Sequence, residues 1–187
     1  LHKTVVGYEK MLVSLLSRAK HLTAIGCDVF APPALSYFLR NDVDAEWFAA
    51  HDEAFLMYQT LDDNDIMSAI KVWAMSDDKI LSTLATNILN RRLFKVEVFD
   101  EPVAQEYVDV IAQSISKKMG IPMEDTHYLV SVNAIQKDTY DISDNSITIV
   151  MKDGTTKDIA EASEILNVQT LAKKNRKYFL CYLRSNS

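Results

Sequence analysis

Leu93-Phe94-Lys95-Val96-Glu97-Val98-Phe99 sets apolar side chains at Phe94, Val96 and Val98 against polar ones at Lys95 and Glu97, a period of two. That is the pattern of a strand with one face turned inward. Everything apolar before Arg91-Arg92 recurs instead at steps of three and four, the spacing of a helix stripe. The heptapeptide therefore separates a helical first half from a second half in which strands and helices alternate.

Upstream, Val5, Tyr8, Met11, Leu12, Leu15, Leu16, Ala19 and Leu22 lie on one stripe and predict a helix over Thr4 to Leu22. Gly26 and Pro32-Pro33 forbid its continuation and predict a turn, followed by a short helix near Leu35 to Leu39. A further helix is expected from Asp44 to Tyr58, capped by Asp44, with Trp47, Phe48, Phe55 and Leu56 inward. Two linked helices follow. Asp62 or Asp63 caps Asn64 to Met75, with Ile66, Ile70 and Trp73 inward. Ser76 or Asp77 caps Lys79 to Asn90, with Ile80, Leu84, Ile88 and Leu89 inward.

Downstream, Pro102 precedes helical spacing from Val103 to Met119, and Gly120 is its stop. Tyr128 to Ile135 and Ser146 to Met151 are β-branched and read as strands, with Asp153-Gly154 a turn after the second. Ile159 to Leu171 reads as a helix and Lys177 to Leu183 as a last strand. The order β, α, β, β, α, β is that of a ferredoxin-like domain. The predicted class is α+β, with a helical region over residues 1–92 and an α+β domain over residues 93–187.

Several functional classes are excluded by composition. The chain has 187 residues, 48% of them apolar and 25% charged, which is enough to bury a core without staples. Its two cysteines, Cys27 and Cys181, build neither a disulfide framework nor a thiolate zinc site, and reduced cytoplasm is the expected location. No apolar run approaches the ~20 residues of a bilayer span, so no membrane partner is expected. The net charge of −6, split as −3 in each half, argues against non-specific nucleic-acid binding. Leu1 opens directly on helical periodicity with no cap before it, which suggests a chain cut from something longer.

His51-Asp52 could give one nitrogen and one oxygen to a divalent metal. A hydrolytic site would also need His21 from an earlier helix and Asp77 or Asp78 from a later one. The alternative is a polar helix face. No glycine-rich phosphate loop and no nucleophile motif is present. Asp62-Asp63-Asn64-Asp65 has the spaced oxygens of a calcium loop but lacks its glycine and its closing glutamate, leaving helix capping as its role. Lys173 to Lys177 is a basic run that either meets an anion or forms a solvated turn. Trp47 and Trp73 fall on the inward stripes and read as core.

Leu61-Asp62-Asp63-Asn64-Asp65-Ile66, Trp73, and Asn90-Arg91-Arg92-Leu93-Phe94-Lys95 together resemble the HD-domain dNTP triphosphohydrolase family, whose members carry an Arg-x-Leu-Phe-Lys motif at about this separation. Leu1-His2-Lys3-Thr4-Val5 resembles that family's Tyr-x-His-Lys helix, and the likeness covers about residues 1–99. It implies that this chain is the C-terminal part of an HD-domain fold followed by a ferredoxin-like βαββαβ domain. In the family the His, His-Asp and Asp ligands precede the Tyr-x-His-Lys helix. The divalent metal (Mn, Mg or Fe) and the catalytic residues are then expected upstream, with none in this chain, which alone would be inactive. The resemblance also implies homo-oligomer contacts and binding of a dNTP- or GTP-like effector: His2 and Lys3 would meet its phosphates, and Arg91 and Lys95 the nucleotide at a subunit interface. Two other readings stay open. One is a non-enzymatic regulatory or assembly module that binds a small ligand or partner through its α+β half; the other is an intact metal hydrolase using His21, His51 and Asp52.

Overall fold

In the computed structural model, residues 2–137, 148–158 and 175–184 are described. The helices are α1 (Lys3–Ala24), α2 (Pro33–Arg40), α3 (Ala45–Ala50), α4 (Asp52–Thr60), α5 (Asp63–Trp73), α6 (Lys79–Leu89) and α7 (Gln105–Met119). The strands are β1 (Lys95–Phe99), β2 (Val130–Lys137), β3 (Thr148–Val150), β4 (Thr156–Asp158) and β5 (Asn175–Tyr182), and a 3₁₀ turn spans Met123–Tyr128. The class is α+β.

The chain divides into two compact units. The first comprises Leu1–Glu97, Ala104–Ser131 and Leu180–Ser187; the second comprises Val98–Val103 and Val132–Phe179. The core of the first is built on α1 and α6, which pack against each other. Val6, Met11, Leu15, Ala19 and Leu22 of α1 and Ile80, Leu81, Leu84 and Ile88 of α6 are buried; the stripes hold through most of both helices, but at the start of α1 Val6 is the buried residue while Val5 and Tyr8, expected inward, are exposed. Gly7 is needed where α1 passes the chain entering β1, because a Cβ there would stand 3.0 Å from the Phe94 carbonyl oxygen and 3.2 Å from Val96 Cγ2. In the second unit β3 and β4 form an antiparallel hairpin, Val150 opposite Thr156, around the expected Asp153-Gly154 turn.

Several expectations are corrected. The helix expected from Asp44 to Tyr58 is two helices broken at His51, which is extended (φ −133°, ψ 97°). There the ring Nδ1 donates to the Trp47 carbonyl oxygen at 3.0 Å, replacing the helical amide that carbonyl would otherwise accept from. Phe55 and Leu56 are exposed because nine-residue α4 turns only Ala54 fully inward. Trp47 is half-buried, its Nε1 donating to the Tyr37 hydroxyl at 2.9 Å, whereas Trp73 is core. Asp78, not Ser76 or Asp77, caps α6 by accepting from the Leu81 amide at 2.7 Å; the Ser76 hydroxyl is turned to the Asp78 amide instead. Leu89 lies past the edge of the buried stripe and is exposed.

The β-rich half also differs. β1, β5 and β2 form a three-stranded sheet in that order, while β3 pairs with β4 in a separate hairpin, so the described strands do not make one four-stranded ferredoxin-like sheet. Alternation alone marks a strand and not its partner. Tyr128, read as strand, ends the 3₁₀ turn, with the Arg18 guanidinium 5.2 Å from its ring centre. The helix expected over Ile159 to Leu171 and the lysines Lys173 and Lys174 lie outside the described residues.

Candidate functional site

At the C-terminus of α6 the chain closes as a Schellman turn: the Arg92 amide donates to the Asn87 carbonyl at 2.8 Å and the Arg91 amide to the Ile88 carbonyl at 3.1 Å. The residue between Asn90 and Arg92 must then be left-handed, a place where glycine is favoured. Here it is Arg91, at φ 54°, and it is the one such non-glycine among the described residues. A side chain in that conformation costs roughly 1–2 kcal/mol. The turn leads within three residues into β1, whose first residue is Lys95.

These residues meet the beginning of α1 and the end of β5. Lys3, Thr4, Arg91, Arg92, Leu93, Phe94, Lys95, Val96 and Arg184 line an open cleft of about 450 Å³, five of the nine being cations. The sequence-predicted residues Lys3, Arg91 and Lys95 are thus brought together, whereas His2 is exposed and is not among the lining residues. Sequence reasoning missed Arg92 and Arg184 as site residues. Arg92 carried a signal, standing inside the quoted motif; Arg184 carried none, since only the return of β5 places it. Its Nε donates to the Leu93 carbonyl oxygen at 3.2 Å, which orients the guanidinium at the cleft.

Position within α1 sharpens the electrostatic reading. Cations near a helix C-terminus are favoured by the free carbonyls, which accounts for Arg91 and Arg92 without any ligand. Lys3 stands in the first turn of α1, where a cation is disfavoured, and no acidic residue in that turn offsets it.

One carboxylate governs Lys95. Its Nζ lies 2.7 Å from Glu97 Oε1 and 5.4 Å from the centre of the Tyr182 ring. Glu97 also accepts from the Tyr182 hydroxyl at 2.7 Å and the Tyr107 hydroxyl at 3.0 Å. The hydrogen bond to Glu97 raises the Lys95 pKa, and the hydrogen bonds from Lys95 and then Tyr182 hold Glu97 below the usual carboxylate range against the effect of burial. Lys95 is therefore a fixed, permanent cation. Planar guanidiniums and a point-charge ammonium on one cleft are the groups that bind polyphosphate oxygens.

The other candidates do not converge. Among the described residues no group of three or more His, Cys, Asp or Glu side chains could hold a metal ion. His51 stacks on Trp47, ring centres 4.1 Å apart, and His21 lies beside Tyr128. Asp78 is taken by Arg18. The donor set of a His21, His51 and Asp52 metal hydrolase is therefore not assembled, and no catalytic step follows through a metal held by these residues. Asp62 caps α5 in a capping box, accepting from the Asn64 and Asp65 amides while Asp65 accepts from the Asp62 amide. Lys177 pairs with Asp100, and Arg176 lies over the Tyr178 ring. Cys27 is exposed; Cys181 is buried, which pushes its thiol up to about 11. No described helix is long and apolar enough to cross a membrane.

No protein-family pattern matches this chain, nor does any curated protein. Among solved structures it is similar to the crystal structure of a phosphohydrolase from Bacteroides thetaiotaomicron, with a TM-score of 0.90 and 47% sequence identity over 98% of this chain. The match covers 46% of that phosphohydrolase, so this chain spans about half its length. The chain is thereby related to a phosphohydrolase.

Proposed function

We propose that this chain is the C-terminal segment of a metal-dependent HD-domain nucleotide phosphohydrolase acting on dNTPs, in the cytoplasm. In this reading residues 1–92 complete the HD-type helical fold and residues 93–187 form a C-terminal α+β domain. The segment supplies scaffold and homo-oligomer contacts, and its basic cleft binds a dNTP- or GTP-like effector. The Mn, Mg or Fe ion and its ligands belong to sequence preceding Leu1. What carries the reading is the meeting of Lys3, Arg91, Arg92, Lys95 and Arg184 on one cleft of a chain whose net charge is −6. The relation to a phosphohydrolase about twice as long supports it.

Titration calorimetry of dGTP and GTP into the chain tests the cleft. Binding that is weakened about tenfold by Lys3→Ala or Lys95→Ala supports it, on the usual worth of one charge-assisted contact. Equal binding by both variants overturns it. Hydrolysis of dNTPs with Mn²⁺ or Mg²⁺ by the extended protein, and not by this chain, tests the parent activity. An extended protein that neither hydrolyses nor binds nucleotides leaves the regulatory or assembly module as the better reading, and light scattering with and without nucleotide then reports whether its assembly is constant.

A further inference from the structure

Lys95 lines the basic cleft from β1, whereas Glu97, two residues further on the same face of the strand, is not among the lining residues. Glu97 is instead the meeting point of three donors from three elements. Its Oε1 accepts from the Lys95 ammonium and from the hydroxyl of Tyr182, the last residue of β5. Its Oε2 accepts from the hydroxyl of Tyr107 in the first turn of α7. Strand β5 is the neighbour of β1 in the sheet, and all four residues belong to the first unit.

The pair is unevenly exposed, 52% for the Lys95 side chain and 23% for Glu97. An ammonium that open, on a flexible four-carbon stem, samples many positions if nothing holds it. A lone surface ion pair holds such a group poorly, because ordering two long side chains offsets most of the attraction. Here the carboxylate is already ordered: two tyrosine hydroxyls fix it, and the Tyr182 ring flanks the ammonium. Lys95 gives Glu97 one of its three N–H donors, which leaves two for an anion in the cleft. Glu97 also repels that anion. Between exposed groups this repulsion is small and weakens with salt, whereas the freedom lost on ordering a lysine is independent of salt. Positioning therefore outweighs repulsion at physiological salt.

We propose that Glu97, clamped by Tyr107 and Tyr182, is a positioning residue of the basic cleft: it holds the Lys95 ammonium in place before a polyphosphate arrives. The inference rests on the cleft being a phosphate site and adds to it a residue that touches no ligand.

The experiment titrates tripolyphosphate into the chain and its variants by calorimetry at about 0.15 M salt, with folding checked by thermal unfolding. Glu97→Ala is expected to weaken binding about two- to tenfold, the usual cost of ordering one long side chain on binding. Glu97→Gln, which keeps an acceptor oxygen, recovers part of the loss. In a Lys95→Ala chain the same Glu97→Ala substitution changes nothing further, because a positioning residue acts only through the group it positions. Should Glu97→Ala unfold the chain, Tyr107→Phe with Tyr182→Phe replaces it, with an expected weakening of about twofold or more. Unchanged or tighter binding by Glu97→Ala, or by the tyrosine pair in its place, overturns the proposal. So does a loss that persists in the Lys95→Ala chain. These results leave the cleft itself standing, provided that Lys95→Ala alone weakens binding. Tripolyphosphate that does not bind the unsubstituted chain, or binds it as well after Lys95→Ala, overturns the cleft and the positioning residue together.

Discussion

Arg18 and Asp78, sixty residues apart, form a two-point ion pair: Nη2 to Oδ2 at 2.7 Å and Nε to Oδ1 at 3.2 Å. The Arg18 side chain is 10% exposed and Asp78 19%, and Arg18 Nη1 reaches Asp125 Oδ1 at 3.0 Å. Three elements, α1, α6 and the 3₁₀ turn, are thus tied to one guanidinium. Because Asp78 also caps α6, Asp78→Ala leaves a buried cation short of its partner and a helix without its cap. We expect a loss of about 3–5 kcal/mol in urea unfolding. Asp78→Asn, which can still cap, should lose less. Equal losses would show that the cap contributes little and that the ion pair carries the effect; no loss with Asp78→Asn would show that the ion pair contributes little.

Burial alone would raise the Asp78 pKa, but the hydrogen bonds from Arg18 and the Leu81 amide outweigh it, and the carboxyl is held below its ordinary value. Glu97 is depressed as well, by Lys95 first and Tyr182 second. A carboxylate whose folded pKa is depressed contributes stability in full above its unfolded value, about 4, and loses it as the pH falls through the folded value. Melting temperatures should therefore hold between about pH 7 and pH 5 and fall below about pH 4. Arg18→Met removes the depression at Asp78 and should flatten that acid limb relative to the parent chain. Parallel curves would show that Arg18 does not set the Asp78 titration.

Gly7→Ala replaces the poorer helix former with the better, a change worth about 1 kcal/mol in favour of an ordinary helix. At this position the new methyl meets the Phe94 carbonyl oxygen at 3.0 Å. Backbone must shift to admit it, so we expect net destabilisation of about 1–3 kcal/mol and weaker nucleotide binding, since Phe94 and Lys95 line the cleft. Stabilisation on chemical denaturation would contradict the close approach.

Arg91→Gly should separate stability from binding. Glycine relieves the left-handed strain at φ 54°, raising stability by about 1 kcal/mol, while removal of the guanidinium weakens anion binding about tenfold. Arg91→Ala should lose the binding without the gain in stability. Thermal unfolding and calorimetry on the same two variants decide it; full binding by either excludes Arg91 from the site.

Local chemistry made much of this fold readable in advance. The helices of α1 and α6, the caps at Asp44 and Asp62, the stop at Gly120 and the strand character of β1 all depend on neighbours within a few residues and were found in place, though Val5, Tyr8, Leu89 and Val98, at the ends of their apolar sets, are exposed. Where such reasoning failed, the competing interaction came from outside its window. His51 breaks a helix through its own ring, Asp78 outcompetes Asp77 as a cap where Arg18 holds it, and β3 pairs with β4 because alternation marks a strand without naming its partner. The cleft divides in the same way. Arg91 and Lys95 were legible because one short motif carries both, and Lys3 because it belongs to a second motif, His2-Lys3. Arg184 joins them only because β5 returns to the neighbourhood of Leu93, nearly a hundred residues earlier in the chain. Spacing along a chain encodes which face a side chain shares with its near neighbours; which distant faces meet depends on how whole elements bury their apolar area together.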